Sequence, residues 1–384
     1  MKTVKNILLA ASLILAAVNI SSGGTIAPQE RTKTFSVNKG GRLYVDVNPG
    51  QITIVPWDKN EVVVKIKEME EDELDNVKME SDKNEVRVGY DSKWGGSDAE
   101  FYINVPSQFN LELASTAGDV EVRGNISGDV HLKTNGGDIS LKNVNGNLTA
   151  STDGGDIRIG DVEGELKINT DGGDIAIGAA RGKTVRAVTS GGDIHITKSI
   201  AGTYLRTSGG DIYAGDLGSG SELLTSGGSL SAGIVSGGIR METSGGDIEL
   251  KGAKGKVIAK TSAGNITLKN VSGEVTAKTS AGDVDVMLDP SAGSESVMST
   301  SSGEVVLRLP SSAKTEVEAE VSLRGSRGKW GDDKRIHSDF QVKESPGSGD
   351  SKNLSKAKYV INGGGSKISL SSADSGIKIL KSDK

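Results

Sequence analysis

The sequence predicts an all-β protein, a single-stranded β-solenoid of 18-residue coils with β-rich capping ends. Three observations predict it: a threonine column at near-constant spacing, apolar residues two apart between its members, and glycine pairs where that alternation breaks.

The motif Thr-x-Gly-Gly-Asp-Ile recurs with its threonine at 134, 152, 170, 189, 207, 225, 243, 261, 279 and 300, so the intervals are 18, 18, 19, 18, 18, 18, 18, 18 and 21. A fixed period of this size means a solenoid, in which each repeat buries its apolar face only against its neighbours. It is too short for paired-helix repeats and for propeller blades. Within one coil, Ile266, Leu268, Val271, Val275, Ala277, Thr279, Val284 and Val286 are the inward positions. Steps of two put side chains on one face of a strand, and the longer steps mark corners. Gly172-Gly173 and Gly209-Gly210 sit at such corners, where a residue without Cβ turns through positive φ at no steric cost. Two or three short strands per turn are expected. Winding should be right-handed by the general hand of parallel crossovers, with left-handed 18-residue coils as the alternative. The threonine hydroxyls should bond either the backbone or one another along the stack.

Composition agrees. Glycine numbers 53 and proline 7, which excludes collagen-like sequence, and aromatics at 3% are too few for an ordinary globular core. Small β-branched side chains must stack regularly to bury enough surface. A formal charge of −6 argues against nucleic acid as a partner. With no cysteine there is no disulfide, thiolate metal site or lipidated cysteine.

Four regions are expected. Residues 1–24 read as a signal peptide: Lys2 and Lys5 are followed by an apolar run from Ile7 to Ile20, too short to span a bilayer, with cleavage expected between 22 and 28. Residues 30–114 carry alternating strands at Leu43–Val47, Ile52–Val55 and Val62–Ile66 and form an N-terminal β-rich cap, because an open solenoid end templates aggregation. Its acidic stretch Glu68–Glu73 reads as a solvated loop or hairpin end. Residues 115–310 form the solenoid. Residues 311–384 are a C-terminal irregular segment, interrupted at Ser345-Pro346-Gly347-Ser348-Gly349, with closing strands at Tyr359–Ile361, Lys367–Leu370 and Ile377–Leu380.

The run of Thr-Ser-Gly-Gly-Asp-Ile coils, then Val305-Val306-Leu307-Arg308-Leu309-Pro310, Ile361-Asn362-Gly363-Gly364-Gly365 and Ser375-Gly376-Ile377-Lys378-Ile379, resembles the bacterial putative-adhesin family of β-strand-repeat proteins. The resemblance covers nearly all of the mature chain. It implies the solenoid and an adhesive role; the family's domain is one of unknown function with no catalytic residues to carry over.

Chemistry-bearing residues are few. Asp138, Asp156, Asp174, Asp193, Asp211, Asp247 and Asp283 form a column interrupted by Ser229 and Asn265. Either calcium offsets their repulsion, or each Asp bonds the backbone of its own turn. Calcium-binding β-helices read Gly-Gly-x-Gly-x-Asp, whereas here Asp follows Gly-Gly directly. His131, His195 and His337 are scattered, with no nucleophile motif around them. Trp57, Trp94 and Trp330 lie near Gly or Pro and could stack on sugars, although Trp57 reads as packed at a strand end. Lys251, Lys254, Lys256, Lys260, Lys269 and Lys278 read as a solvated basic stretch. A single threonine column does not make the two-column face of an ice-binding protein.

The expected protein is therefore exported, periplasmic or at the cell surface, and not an enzyme. It acts as an adhesin or envelope scaffold with no cofactor, metal site or membrane span in the mature chain. Its partner is an envelope or surface ligand, protein or polysaccharide. The alternative is a calcium- or polysaccharide-binding surface module, and a glycan-active enzyme comes third.

Overall fold

A computed structural model describes residues 29–92, 99–322, 336–341, 354–373 and 375–382. The leader with its cleavage window at 22–28, Trp94, Trp330 and Ser345–Gly349 lie outside the described residues. The protein is all-β; the one α-helix among the described residues is the four-residue turn Glu71–Leu74. The chain divides into two compact units, Met1–Gly173 and Asp174–Lys384.

In each unit a coil gives one strand to each of two parallel sheets, one strand before the threonine and one after the Gly-Gly-Asp. In the second unit Val257–Lys260 precedes Thr261 and Ile266–Gly273 follows it. Successive coils pair in register, Ile248 with Ile266 and Ile266 with Val284 in one sheet, Val257 with Val275 in the other. In the first unit Val130 pairs with Leu148 and Leu148 with Leu166. The inward residues form aliphatic ladders: Ile194, Ile212, Leu230, Ile248, Ile266 and Val284 are each no more than 1% exposed. Burying one such side chain stabilises by about 1.5–3 kcal/mol, so the coils need no aromatic residue to hold together.

Both departures from a period of 18 fall in one corner. The extra residue of the 19-residue interval lies between Ile175–Ala180 and Val185–Val188, and the three extra residues of the 21-residue interval lie between Val284–Pro290 and Glu295–Thr300. The Thr-Gly-Gly corner keeps its spacing through both intervals, and threonine and aspartate side chains tie it to the neighbouring coil.

The N-terminal strands stack as coils of the same kind, but out of chain order. Gly41–Asn48 pairs in parallel with both Glu85–Asp91 and Phe109–Ser115, and Gln51–Trp57 with both Glu100–Pro106 and Val120–Val122. Residues 41–57 thus lie between two coils that follow them in sequence. Antiparallel strands then cover the outer coil: Glu61–Met69 on Glu100–Pro106, Gln29–Ser36 on Glu61–Met69, and Lys78–Asp82 on Glu85–Asp91. The aromatic core of the unit is here, with Phe101 and Phe109 fully buried and Tyr90 5.8 Å from Phe101.

The second unit repeats the device. The late strands Ser366–Ala373 and Ile377–Lys381 insert between the coil of Glu295–Thr300 and Val305–Leu309 and the coil of Thr315–Ser322 and Ile336–Ser338. Leu354–Ile361 closes the edge antiparallel to Thr315–Ser322, with Lys358 Nζ 3.3 Å from Glu316 and 3.4 Å from Glu318. Charged edge strands of this sort resist pairing with another chain.

Two expectations are corrected. Glu68–Glu73 is not a wholly solvated loop: Met69 and Glu73 are buried, and Glu73 accepts hydrogen bonds from Asn76 Nδ2 at 2.8 Å and Tyr90 Oη at 3.3 Å. The start of the C-terminal segment is not irregular, because Thr315–Ser322 is an eight-residue strand with Val317, Ala319 and Val321 buried. Its outward glutamates give a polar composition to a half-buried strand.

Candidate functional site

The repeated corner is tied to its neighbours by two side-chain ladders. Each column threonine is buried, and its Oγ1 donates to a glycine carbonyl one coil earlier: Thr152 to Gly137 at 2.9 Å, Thr243 to Gly228 at 2.8 Å, Thr279 to Gly264 at 2.8 Å. The same oxygen accepts from the N–H three residues on, as from Gly246 to Thr243 at 3.4 Å. Of the two arrangements open to the hydroxyls, the backbone one is found. Thr243→Val keeps the shape but strands a buried carbonyl, and should cost about 1–3 kcal/mol in urea unfolding, with Thr243→Ser costing less.

The aspartates act across coils, not within their own turn as expected. Asp138 Oδ1 accepts from Asp156 N–H at 2.8 Å, Asp193 from Asp211 at 2.7 Å, and Asp247 from Asn265 at 2.7 Å. This explains the interruptions, because Ser229 and Asn265 also supply an acceptor, to Asp247 N–H at 3.2 Å and Asp283 N–H at 2.8 Å. Asp247→Asn should therefore change stability little, while Asp247→Ala should cost about 1 kcal/mol. Arg158 bridges Asp156 at 2.6 Å and Asp138 at 3.5 Å, offsetting their repulsion. No group of three or more His, Cys, Asp or Glu side chains placed to hold a metal occurs among the described residues. Millimolar calcium should shift the unfolding midpoint little, in the parent and in Asp174→Asn with Asp193→Asn.

What gathers diverse side chains is a groove of about 630 Å³ on the second unit, beside the Thr-Gly-Gly corner. One wall is the outward residue just before each threonine, in register along the sheet: Arg206, Leu224, Glu242, Lys260, Lys278 and Ser299. The other is the exposed serine just after it, at 226, 244, 262 and 280. Arg240, two residues before Glu242 on the same outward face, adds a fourth cation. Glu242 organises the centre: its Oε2 accepts from Arg240 at 2.7 Å, and its enclosed Oε1 lies 3.2 Å from Lys260 Nζ without hydrogen-bond alignment. The Arg240 hydrogen bond, and after it Lys260, hold the Glu242 carboxyl below the usual carboxylate range against the opposing effect of burial. The carboxylate therefore stays charged at neutral pH and keeps both cations in place.

The lysine stretch divides among faces. Lys260 and Lys278 enter the groove, Lys256 pairs with Glu274 at 2.7 Å, and Lys269 with Glu249 at 3.5 Å on the other sheet. His131 and His195 are exposed on the outer faces of their strands, and His337 lies 3.9 Å from Asp339. Trp57 is half-buried at its strand end, Nε1 donating to Glu61 O at 2.9 Å and Lys59 lying over the ring at 4.9 Å. A second recess of about 240 Å³ in the first unit includes Arg42, Glu112, Asp129 and His131, with Arg42 and Glu112 3.9 Å apart. The sequence reading did not single out Arg206, Arg240, Glu242 or the serine column. Their signal was there: the positions on either side of each threonine, read at the 18-residue period, are the groove walls.

Among the described residues no helix is long and apolar enough to cross a membrane. No curated protein matches the chain. Among solved structures it is similar to a "putative cell adhesion protein" from Clostridium sporogenes, at 12% identity over 93% of this chain and 100% of that one, with a TM-score of 0.18. A "putative lipid binding protein" from Parabacteroides distasonis is 15% identical over 74% and 95%, with a TM-score of 0.24. A "putative adhesin" from Bacteroides fragilis is 13% identical over 73% and 97%, with a TM-score of 0.26. At such scores the likeness does not extend to function. The Toastrack DUF4097 family model matches residues 18–215 and 203–328, most of the chain, and the protein belongs to that family.

Proposed function

We propose that the chain is an exported, non-catalytic β-solenoid that serves as an adhesive or scaffolding element of the bacterial envelope. One observation carries this reading: inward positions are fixed by the ladders, while outward positions vary coil by coil along the lateral surface of each unit. Such a surface suits distributed contact with an extended partner, each coil contributing a share. The leader read at Lys2–Ile20 supports export, and the charged antiparallel edges support a chain that stays unpaired while exposed. A single chain winding in the right-handed sense, capped by residues 30–114 and closed by residues 311–384, completes the proposal. The mature protein should be retained on envelope fractions, and retention should fall by degrees as coils are removed. Full loss on removal of one coil, or no retention by the intact protein, would refute the adhesive reading.

A polysaccharide-binding surface is the second reading, favoured by the hydroxyl-lined, cationic groove of the second unit.

A further inference from the structure

We propose that this groove binds an acidic polysaccharide, a polyuronate-like chain lying along the stack of coils. The inference rests on the surface-binding reading and names the partner's chemistry. Arg206, Arg240, Lys260 and Lys278 line the groove with Glu242, and Glu222 lies beside Arg240 in register, which leaves two net positive charges in a chain whose formal charge is −6. The site is thus a local exception to an acidic protein, and it selects an anion.

Chemistry of the walls narrows the anion further. Leu224 is the one apolar side chain besides threonine methyls in the lining, so neither a lipid tail nor an amphipathic helix finds the apolar anchors it needs. Serine hydroxyls at 226, 244, 262 and 280 recur once per coil, at a spacing of about 4.8 Å, a length of the same order as one sugar of an extended glycan. A polyol can give and take hydrogen bonds along such a row. Glu242, charged and central, repels a chain with a charge on every phosphate more than one whose carboxylates are spaced by sugars. Its Oε2 and Oε1 hold Arg240 and Lys260 at 2.7 and 3.2 Å, so the cations are set in place before the ligand arrives. Arg240 and Lys260 lie on adjacent coils, and Lys278 on the next, which spreads the positive charge along the groove.

The test is calorimetric titration of the full mature chain with polygalacturonate, neutral dextran and inorganic polyphosphate. Polygalacturonate should bind and dextran should not. Lys260→Gln with Lys278→Gln should weaken binding by about tenfold or more and flatten its salt dependence. Lys251→Gln with Lys269→Gln, the same charge change away from the groove, should alter affinity by less than about threefold. Ser244→Val with Ser262→Val should weaken polygalacturonate several-fold and leave its salt dependence unchanged, which a purely ionic site would not show. All these positions are exposed, and unchanged urea midpoints confirm that the variants fold. Failure of polygalacturonate to bind, tighter binding of polyphosphate, or equal losses from both lysine pairs would each overturn the proposal. Envelope retention, measured on the same samples, is the separate readout: retention without polygalacturonate binding refutes the groove's ligand and leaves the adhesive reading standing.

Discussion

Removing residues 225–242 should leave a folded protein, and removing only 225–233 should not. The first deletion joins Leu224 to Thr243 and takes out one coil from threonine to threonine. The backbone bond from Thr207 N to Leu224 O is untouched, and Thr243 comes to the place that Thr225 held over Gly210 O. Asp211 Oδ1, which accepts from Ser229 N–H at 2.7 Å, meets the N–H of Asp247 instead. Every inward side chain stays inward, so the loss is one coil's share of stability. The nine-residue deletion places Ile234 directly after Leu224, and the strand Ile239–Glu242 must then fill the opposite sheet. Thr243 loses Gly228 O, and its Gly-Gly pair arrives at the wrong corner. The expected results are a cooperative urea transition at a lower midpoint for the first variant, and no cooperative transition, with aggregation, for the second. Equal unfolding of both would mean that the 18-residue unit is not the structural coil.

The same geometry explains what could be read from the sequence. A coil, its threonine and its aspartate recur at a fixed interval, and their interactions reach only one coil away, so the period carries both the fold and its internal bonding. Residues 41–57 are different. Their alternation marks strands, but nothing local says that they lie between 85–106 and 109–122, because pairing partners of an inserted coil are set by the whole stack. Thr315–Ser322 was obscured for another reason, since glutamate at alternate positions hides a strand whose inward residues are small. In the groove, parity decides. Lys260 and Lys278 are one step before their threonines and point outward together, while Lys256 and Lys269 belong to the opposite corner and the other sheet. Counting lysines along the chain could not separate them; counting from the nearest threonine does. The role assigned to the glycine pair also changes. Gly155 and Gly173 lie outside the positive-φ region, so their requirement comes from close approach of coils rather than from the turn.

Gly155→Ala should therefore be among the most damaging single changes in the chain, and Gly154→Ala nearly silent. A Cβ on Gly155 would overlap the carbonyl oxygen and carbon of Gly137 and the nitrogen of Asp138, all backbone atoms that no side-chain motion can clear. That carbonyl is the acceptor for Thr152 Oγ1 at 2.9 Å, and Asp138 Oδ1 accepts from Asp156 N–H at 2.8 Å beside it. Forcing the coils apart strains both ladders at once, at a cost of about 3 kcal/mol or more. At Gly154 the nearest atoms to a new Cβ are carbonyl oxygens 3.7 Å away, an ordinary contact. Alanine there also restricts the unfolded chain, which should stabilise by up to about 1 kcal/mol. The sequence has run this experiment in other coils: Ala117, Ala263, Ala281 and Ser302 occupy the first glycine's place, whereas Gly118, Gly264, Gly282 and Gly303 follow them without exception. Urea midpoints of the two variants, compared at a common slope, should differ by the sum of these effects. A Gly155→Ala protein as stable as its parent would show that the coils can separate at this corner, and would remove the physical reason for the constant spacing, coil after coil, that Thr152 and Asp156 share.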